Sequence, residues 1–203
     1  MRLLGIYKLL TSLYYGAVQF RVRSLFDDSY CYSQPHDPFV LLVSWHALMN
    51  ESRTASVYAA NCGFCKRSTP WVEEAIEKYG NDVRFIFKEL PILDDRTKTS
   101  RLASRAALAA EKQGKYMDMH LALMKQKRLS GEIIRETAEE IGLDMRRYEA
   151  DMGDPTIEQH ISDTLELANR LPALTGTPFF VIGDEYVSGA DTARLNQLVK
   201  AGL

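Results

Sequence analysis

Two thiols, Cys62 and Cys65, separated by Gly63 and Phe64, have the strongest claim to chemistry in this sequence. At that spacing a disulfide can form and break within one helical turn, and either sulfur can exchange with a third. If a helix begins near Cys62, its thiol sits where free backbone N–H groups and the positive end of the helix dipole favour the thiolate. Cys62 is then the nucleophile. Cys65, one turn on and facing inward, is the thiol that resolves a mixed disulfide. Motifs of this kind lower the first thiol's pKa from about 8.5 into a range of roughly 3.5 to 7.5. Lys66 and Arg67 add positive charge in the same sense.

Other uses of two thiols are weaker. A structural zinc takes four ligands, usually from a second C-x-x-C or a histidine pair. Beyond the motif the chain has only Cys31 and four scattered histidines. Inert buried cysteines are the plainer alternative, but an isolated C-x-x-C beside β-α-β patterning reads as redox. Cys31 is far from the pair and is left free, buried or intermolecular.

The elements that must position the thiols follow from the patterning. The run 83–90, Val83-Arg84-Phe85-Ile86-Phe87-Lys88-Glu89-Leu90, is a strand ended by Pro91. Between it and Cys65, Trp71, Val72, Ala75, Ile76 and Tyr79 recur at helical spacing, with Gly80 as a stop. Pro70 inside that helix removes a donor to the Lys66 carbonyl and predicts a kink. Thr54–Tyr58 reads as a short, weakly patterned strand delivering the chain to Cys62, so the thiols lie at the helix entrance of a β-α-β unit.

From about 95 to 171 the sequence is almost entirely helix-forming. Successive helices end near Gly114, contain Tyr116 to Met124, start at Ser130 and stop at Gly142, start at Asp144, and start at Asp154-Pro155. Phe179-Phe180-Val181-Ile182 is an apolar run suited to a strand covered on both faces. A turn at Gly183-Asp184 leads into Tyr186-Val187-Ser188, and a last helix carries Leu195, Leu198 and Val199. The fold class is α/β with an inserted helical lobe.

The 203-residue chain, 46% hydrophobic, is long enough for one well-buried domain. Its formal charge of −2, with both signs interspersed, gives no footprint for nucleic acid. Residues 1–53 form an atypical N-terminal segment whose best strand candidate is Phe39–Trp45, and 54–203 form the domain. Met1-Arg2 before an apolar stretch resembles an export signal, but Lys8 interrupts it, no A-x-A site follows, and the run is too short to span a membrane. An amphipathic helix on a membrane or partner is the other reading. For the segment as a whole two expectations stand: an arm for oligomerisation or anchoring, or an origin in an altered reading frame or start site.

From about Asn61 to the end, the order of these features resembles the DsbA-like branch of the thioredoxin superfamily. The resemblance rests on Cys62-Gly63-Phe64-Cys65, on Phe87-Lys88-Glu89-Leu90-Pro91-Ile92-Leu93, on the helical insertion, and on Gly176-Thr177-Pro178-Phe179-Phe180-Val181-Ile182-Gly183. It implies a thioredoxin-like fold and thiol:disulfide exchange with cysteine-containing protein substrates, as a disulfide oxidase or isomerase. It also implies a partner that recycles the pair, an exported or periplasmic setting, and no dissociable cofactor. By the same resemblance Pro178 is a cis-proline facing the thiols, and Thr177 offers backbone groups to an extended substrate. Glu89 is a candidate acceptor for the Cys65 proton, with a charged strand end in solvent as the plainer reading. The dipeptide lacks the histidine that supports the thiolate in strongly oxidising members, which leaves oxidising strength open.

Tyr116 and His120, one turn apart among Met117, Met119 and Met124, read as core packing with polar tips near the surface. His36, His46 and His160 have no partner at ligand spacing and read as surface or satisfied residues. Two rivals to the exchange reading remain. One is a protein holding a soft ion such as Cu(I) on the two thiolates. The other is a glutathione-dependent transferase or isomerase of related fold, against which two intact cysteines count.

Overall fold

In a computed structural model of the protein, the residues described are 53–81, 83–94 and 98–202. They belong to one unit of the chain, Ser52–Leu203. The expectations on the N-terminal segment, including the Phe39–Trp45 strand, Cys31, His36 and His46, lie outside the described residues.

The chain enters on strand β1 (Arg53–Tyr58), runs through helix α1 (Gly63–Tyr79) and returns on β2 (Arg84–Glu89). Five helices follow: α2 (Thr99–Glu111), α3 (Tyr116–Lys125), α4 (Gly131–Glu140), α5 (Met145–Met152) and α6 (Pro155–Asn169). Strands β3 (Phe179–Ile182) and β4 (Glu185–Ser188) then form a hairpin, and α7 (Thr192–Ala201) closes the described chain. The sheet order is β2-β1-β3-β4, with β1 parallel to β2 and antiparallel to β3. The architecture is the expected α/β fold with a helical lobe between β2 and β3.

Local chemistry accounts for most boundaries. Ser130, Asp144, Asp154 and Asp191 each accept a backbone N–H from the first turn of the helix they precede, and Pro155 occupies a first-turn position where no donor is missed. Gly183 has φ +59°, the left-handed conformation that glycine adopts freely in the two-residue turn joining β3 to β4. Helix α1 continues unbroken through Pro70. The hydroxyls of Ser68 and Thr69 both donate to the Cys65 carbonyl, 2.8 and 3.1 Å away.

Strand β1, the faintest in the sequence, pairs on both sides. Its hydrophobic pattern is weak because Thr54, Ala55 and Ser56 are small or hydroxylated, yet Thr54 and Ser56 are 1% and 2% exposed. β-Branched and small side chains fit between covered faces as well as bulky ones do.

Two cores result. Tyr58, Trp71, Val72, Phe180, Leu195 and Val199 fill the space around the sheet with α1 and α7. Ala106, Ala110, Met119, Leu123, Ile134 and Ile161 fill the helical lobe. The cores interlock beside the thiols: Ala60, two residues before Cys62, packs into the lobe, and Met124 of α3 packs into the sheet core. Asn61 Nδ2 donates to Thr99 Oγ1 at 2.9 Å and Lys66 Nζ to the Gln126 carbonyl at 2.6 Å, tying the same junction with polar bonds.

Candidate functional site

β1 ends at Tyr58, and four residues later Cys62 is the N-cap of α1, with extended φ −81° and ψ 118°. Its backbone is held by Cys62 N–H donating to the Ala59 carbonyl and by Lys66 N–H donating to its own carbonyl, at 2.9 and 3.0 Å. The N-cap is the position whose side chain ordinarily accepts the orphan N–H groups of the first turn. Here a sulfur occupies it, with no acidic residue in that turn to compete.

The two thiols, both free, are placed in unlike surroundings. Burial pushes the Cys62 thiol up, but the polar groups of Thr177, Cys65 and Phe64 that surround the sulfur favour its thiolate and bring it below the ordinary cysteine value, although the protonated side chain makes no capping bond to the first turn. In the protonated state the thiol donates to the Thr177 carbonyl at 3.2 Å. Cys65 is fully buried, and burial pushes it up to about 12. Cys62 therefore ionises first and Cys65 holds its proton.

The loop before β3 supplies the opposite wall. The Thr177–Pro178 peptide is cis, Pro178 is buried, and its carbonyl accepts from Gly189 N–H at 2.8 Å. Val57 faces Phe179 in the β1/β3 register, so the start of β3 lies beside the end of β1. The structure thus brings Thr177, whose cis peptide bond leads into Pro178, to Cys62 across 115 positions of sequence.

Glu89 is turned inward and is 2% exposed. Tyr116 Oη donates to its Oε1 at 2.7 Å, Ser104 Oγ donates to Oε2 at 3.1 Å, and His120 Nδ1 lies 3.2 Å from Oε1. This corrects the expectation for α3: the polar tips of Tyr116 and His120 are not near the surface but converge on Glu89. Once a carboxylate is placed inside, buried donors must face it, and Tyr116 and His120 were the pair on one helical face available to do so. Ser104 carried no signal in the sequence. Tyr58 stacks its ring edge against His120 at 5.2 Å and against Phe180 at 5.7 Å, which sets it between the β3 core and the Glu89 cluster. The hydrogen bonds of Glu89 go to these lobe residues, and none of them reaches Cys65.

The neighbouring Lys88 is half-buried, and burial pulls its amine down while Glu111 and Asp163 pull it up. His160 is half-buried, and burial followed by the Lys88 charge brings it down to about 4, so it is neutral at physiological pH. Among the described residues, no group of three or more His, Cys, Asp or Glu side chains is placed to hold a metal ion. None of the described helices is long and apolar enough to cross a membrane.

Comparison with known proteins agrees with this geometry. A family model, the DSBA-like thioredoxin domain, matches residues 56–201. Among solved structures, the thiol-disulfide exchange protein alpha-DsbA2 of Wolbachia pipientis superposes with a TM-score of 0.68 at 30% identity, covering 75% of this chain and 82% of that one. A thioredoxin-like oxidoreductase of Silicibacter pomeroyi gives 0.66 at 34%, covering 73% and 84%. The catalytic domain of Proteus mirabilis ScsC gives 0.66 at 28%, covering 81% and 97%. Curated relatives carry a different name: a Na(+)/H(+) antiporter NhaA 3 of Salinispora tropica is 32% identical over 124 residues, 60% of this chain but 19% of that protein. The chain thus spans about a fifth of the length of the curated relatives it matches, and the antiporter name describes those whole proteins. With the family model covering most of its length and the two thiols seated at the entrance of α1, this chain belongs to the DSBA-like thioredoxin domain family.

Proposed function

We propose that the chain exchanges disulfides with cysteine-containing protein substrates, as an oxidase or isomerase, in a periplasmic or otherwise exported space, and is recycled by a redox partner. The observation that carries this reading is the asymmetry of the two thiols: Cys62 is lowered at a helix N-cap beside Thr177, and Cys65 is raised and sealed behind it. An oxidising compartment is where such a pair finds thiols to convert.

In the oxidising direction a substrate thiolate attacks Cys62 Sγ of the Cys62–Cys65 disulfide. The S–S bond breaks, Cys65 leaves as a thiolate and takes up a proton, and substrate and Cys62 share a mixed disulfide. A second substrate thiolate attacks the first substrate sulfur and expels the Cys62 thiolate, a good leaving group because its pKa is low. Two electrons pass from substrate to protein. In isomerisation the Cys62 thiolate makes the first attack, and Cys65 releases the substrate when exchange stalls. Thr177 and Pro178 line the approach to Cys62, with the Thr177 backbone available to an extended segment. Glu89 is the candidate proton acceptor for Cys65. Its burial supports that role, and its bonds to Tyr116, His120 and Ser104 support a structural one.

Equilibration of the Cys62–Cys65 pair against glutathione, with Cys62→Ser as control, tests the exchange. A potential far below about −300 mV would mark a structural disulfide and defeat the proposal. Reactivation of a scrambled multi-disulfide protein, set beside oxidation of the same protein supplied fully reduced, then separates isomerase from oxidase.

A further inference from the structure

We propose that the hydroxyl of Tyr58 is a hydrogen-bond donor that receives the Cys65 sulfur as it leaves the disulfide. The inference rests on the exchange reading above and adds to it a residue for the step in which the buried sulfur takes charge.

That step needs donors. When a substrate thiolate attacks Cys62 Sγ, the Cys62–Cys65 bond breaks and its electron pair stays on Cys65, so negative charge forms on a side chain that is fully buried. An ion formed in such a place is costly unless donors face it. Burial opposes the charge on Cys65, and the Ala59 backbone and Thr177 favour it. Cys62, now joined to the substrate, has no proton to give. The bonds of Glu89 go to Tyr116, Ser104 and His120, and none of them reaches Cys65.

Tyr58 has a donor to spare. It ends β1 and is fully buried in the same core as Cys65. Its carbonyl accepts the Leu90 N–H at 2.7 Å, and its ring lies against Phe87, His120 and Phe180 at 6.0, 5.2 and 5.7 Å. Backbone and ring are therefore fixed, yet the hydroxyl has no hydrogen-bond partner among the described residues. Thr54 Oγ1 and Ser100 Oγ share that condition, but Thr54 lies at the other end of β1 and Ser100 on α2. Helix α1 supplies what faces Tyr58. Cys65 and Ser68, one turn apart and both fully buried, each act on the phenol: burial pushes its pKa well up, the Ser68 hydroxyl draws it down, and charge on Cys65 pushes it up. Ser68 gives its own proton to the Cys65 carbonyl, 2.8 Å away, and stops short of a bond to Tyr58 Oη.

A buried hydroxyl without a partner lowers the stability of the reduced protein, and a phenylalanine would fill the same space without that cost. A donor idle in one state suits an acceptor that appears only during the reaction, when charge develops on Cys65. The phenol keeps its proton. The one that Cys65 finally takes up is that released by the substrate thiol.

Tyr58→Phe keeps the ring and removes the donor. Oxidised full-length protein and the variant, both carrying Cys31→Ser, are mixed with glutathione at neutral pH. Acid-quenched samples resolved by mass give the rate in each direction and the final equilibrium. The variant is expected to open its disulfide, and to close it again, more slowly by one common factor of roughly threefold to tenfold, the size of a hydrogen bond to partly formed charge. The equilibrium should stay where it is, because Cys65 is uncharged in both end states. The urea midpoint of the reduced variant should equal or exceed that of wild type, since an idle hydroxyl has been removed. Unchanged rates or a shifted equilibrium overturns the proposal. So does a lowered midpoint, which shows the hydroxyl already bonded in the reduced protein. A wild type that fails to exchange with glutathione sinks the exchange reading, and this role with it. Normal wild-type exchange that Y58F leaves untouched sinks this role alone.

Discussion

The Cys62 thiol donates to the carbonyl oxygen of Thr177 at 3.2 Å, although 115 positions separate the two residues. That contact joins the N-cap of α1 to the loop before β3. It places a polar backbone edge next to the sulfur that ionises first.

From the asymmetry of the thiols we expect Cys62→Ser to abolish exchange altogether. Cys65→Ser should keep the attacking thiolate but lose release, so mixed disulfides with substrate accumulate. Non-reducing electrophoresis and intact-mass measurement of the two variants incubated with a reduced, unfolded substrate check this. Accumulation with Cys62→Ser instead would reverse the roles.

The pH dependence of the reduced protein has a definite sign. The folded pKa of Cys62 is depressed, so its contribution to stability is present above the unfolded value of about 8.5 and is lost as pH falls through the folded value. The folded pKa of Cys65 is raised to about 12, so stability present below about 8.5 is lost as pH rises towards 12, where the unfolded chain has given up a proton that the native one keeps. With Cys31 replaced by Ser, thiolate absorbance should show one ionisation below about 8.5 and a second only in strong alkali. Urea midpoints of reduced wild type and Cys62→Ser should differ most above about 8.5 and converge as pH falls through the folded value of Cys62. Two ionisations near the free-thiol value would contradict the site described.

Lys66 is pulled down by burial and held up by the nearby Cys62 sulfur, and the same attraction favours the thiolate. Lys66→Met should slow thiolate attack below neutral pH by roughly two- to fivefold, the size of a partly exposed charge pair. Alkylation rates measured against pH would show the profile displaced upward. An unchanged profile would leave Lys66 only its bond to Gln126.

Glu89 separates two roles. Glu89→Ala leaves the buried donors of Tyr116, Ser104 and His120 without their acceptor and should cost about 3 to 5 kcal/mol in denaturant unfolding. Glu89→Gln keeps the shape and part of the bonding, so it should cost less. If the carboxylate takes up the Cys65 proton, Glu89→Gln also slows release of the mixed disulfide by roughly tenfold or more. Loss of stability with an unchanged release rate would make Glu89 purely structural.

The helical lobe was legible because its signals are local. Ser130, Asp144 and Asp154-Pro155 cap their own helices, and apolar spacing within each helix reports its inward face. The order of elements, and the two thiols at a helix entrance, could be read in the same way. The sequence by itself thus determined the fold class, the helical insertion and where along the chain thiol chemistry is possible. Strand β1 was faint because a strand covered on both faces by close neighbours takes Thr54, Ala55 and Ser56 without showing alternation. Only tertiary structure decided that Tyr116, His120 and Ser104 meet on Glu89. Those relations depend on strand order and on the docking of α2 and α3. Pairwise geometry across tens of residues leaves no periodic trace in a single chain.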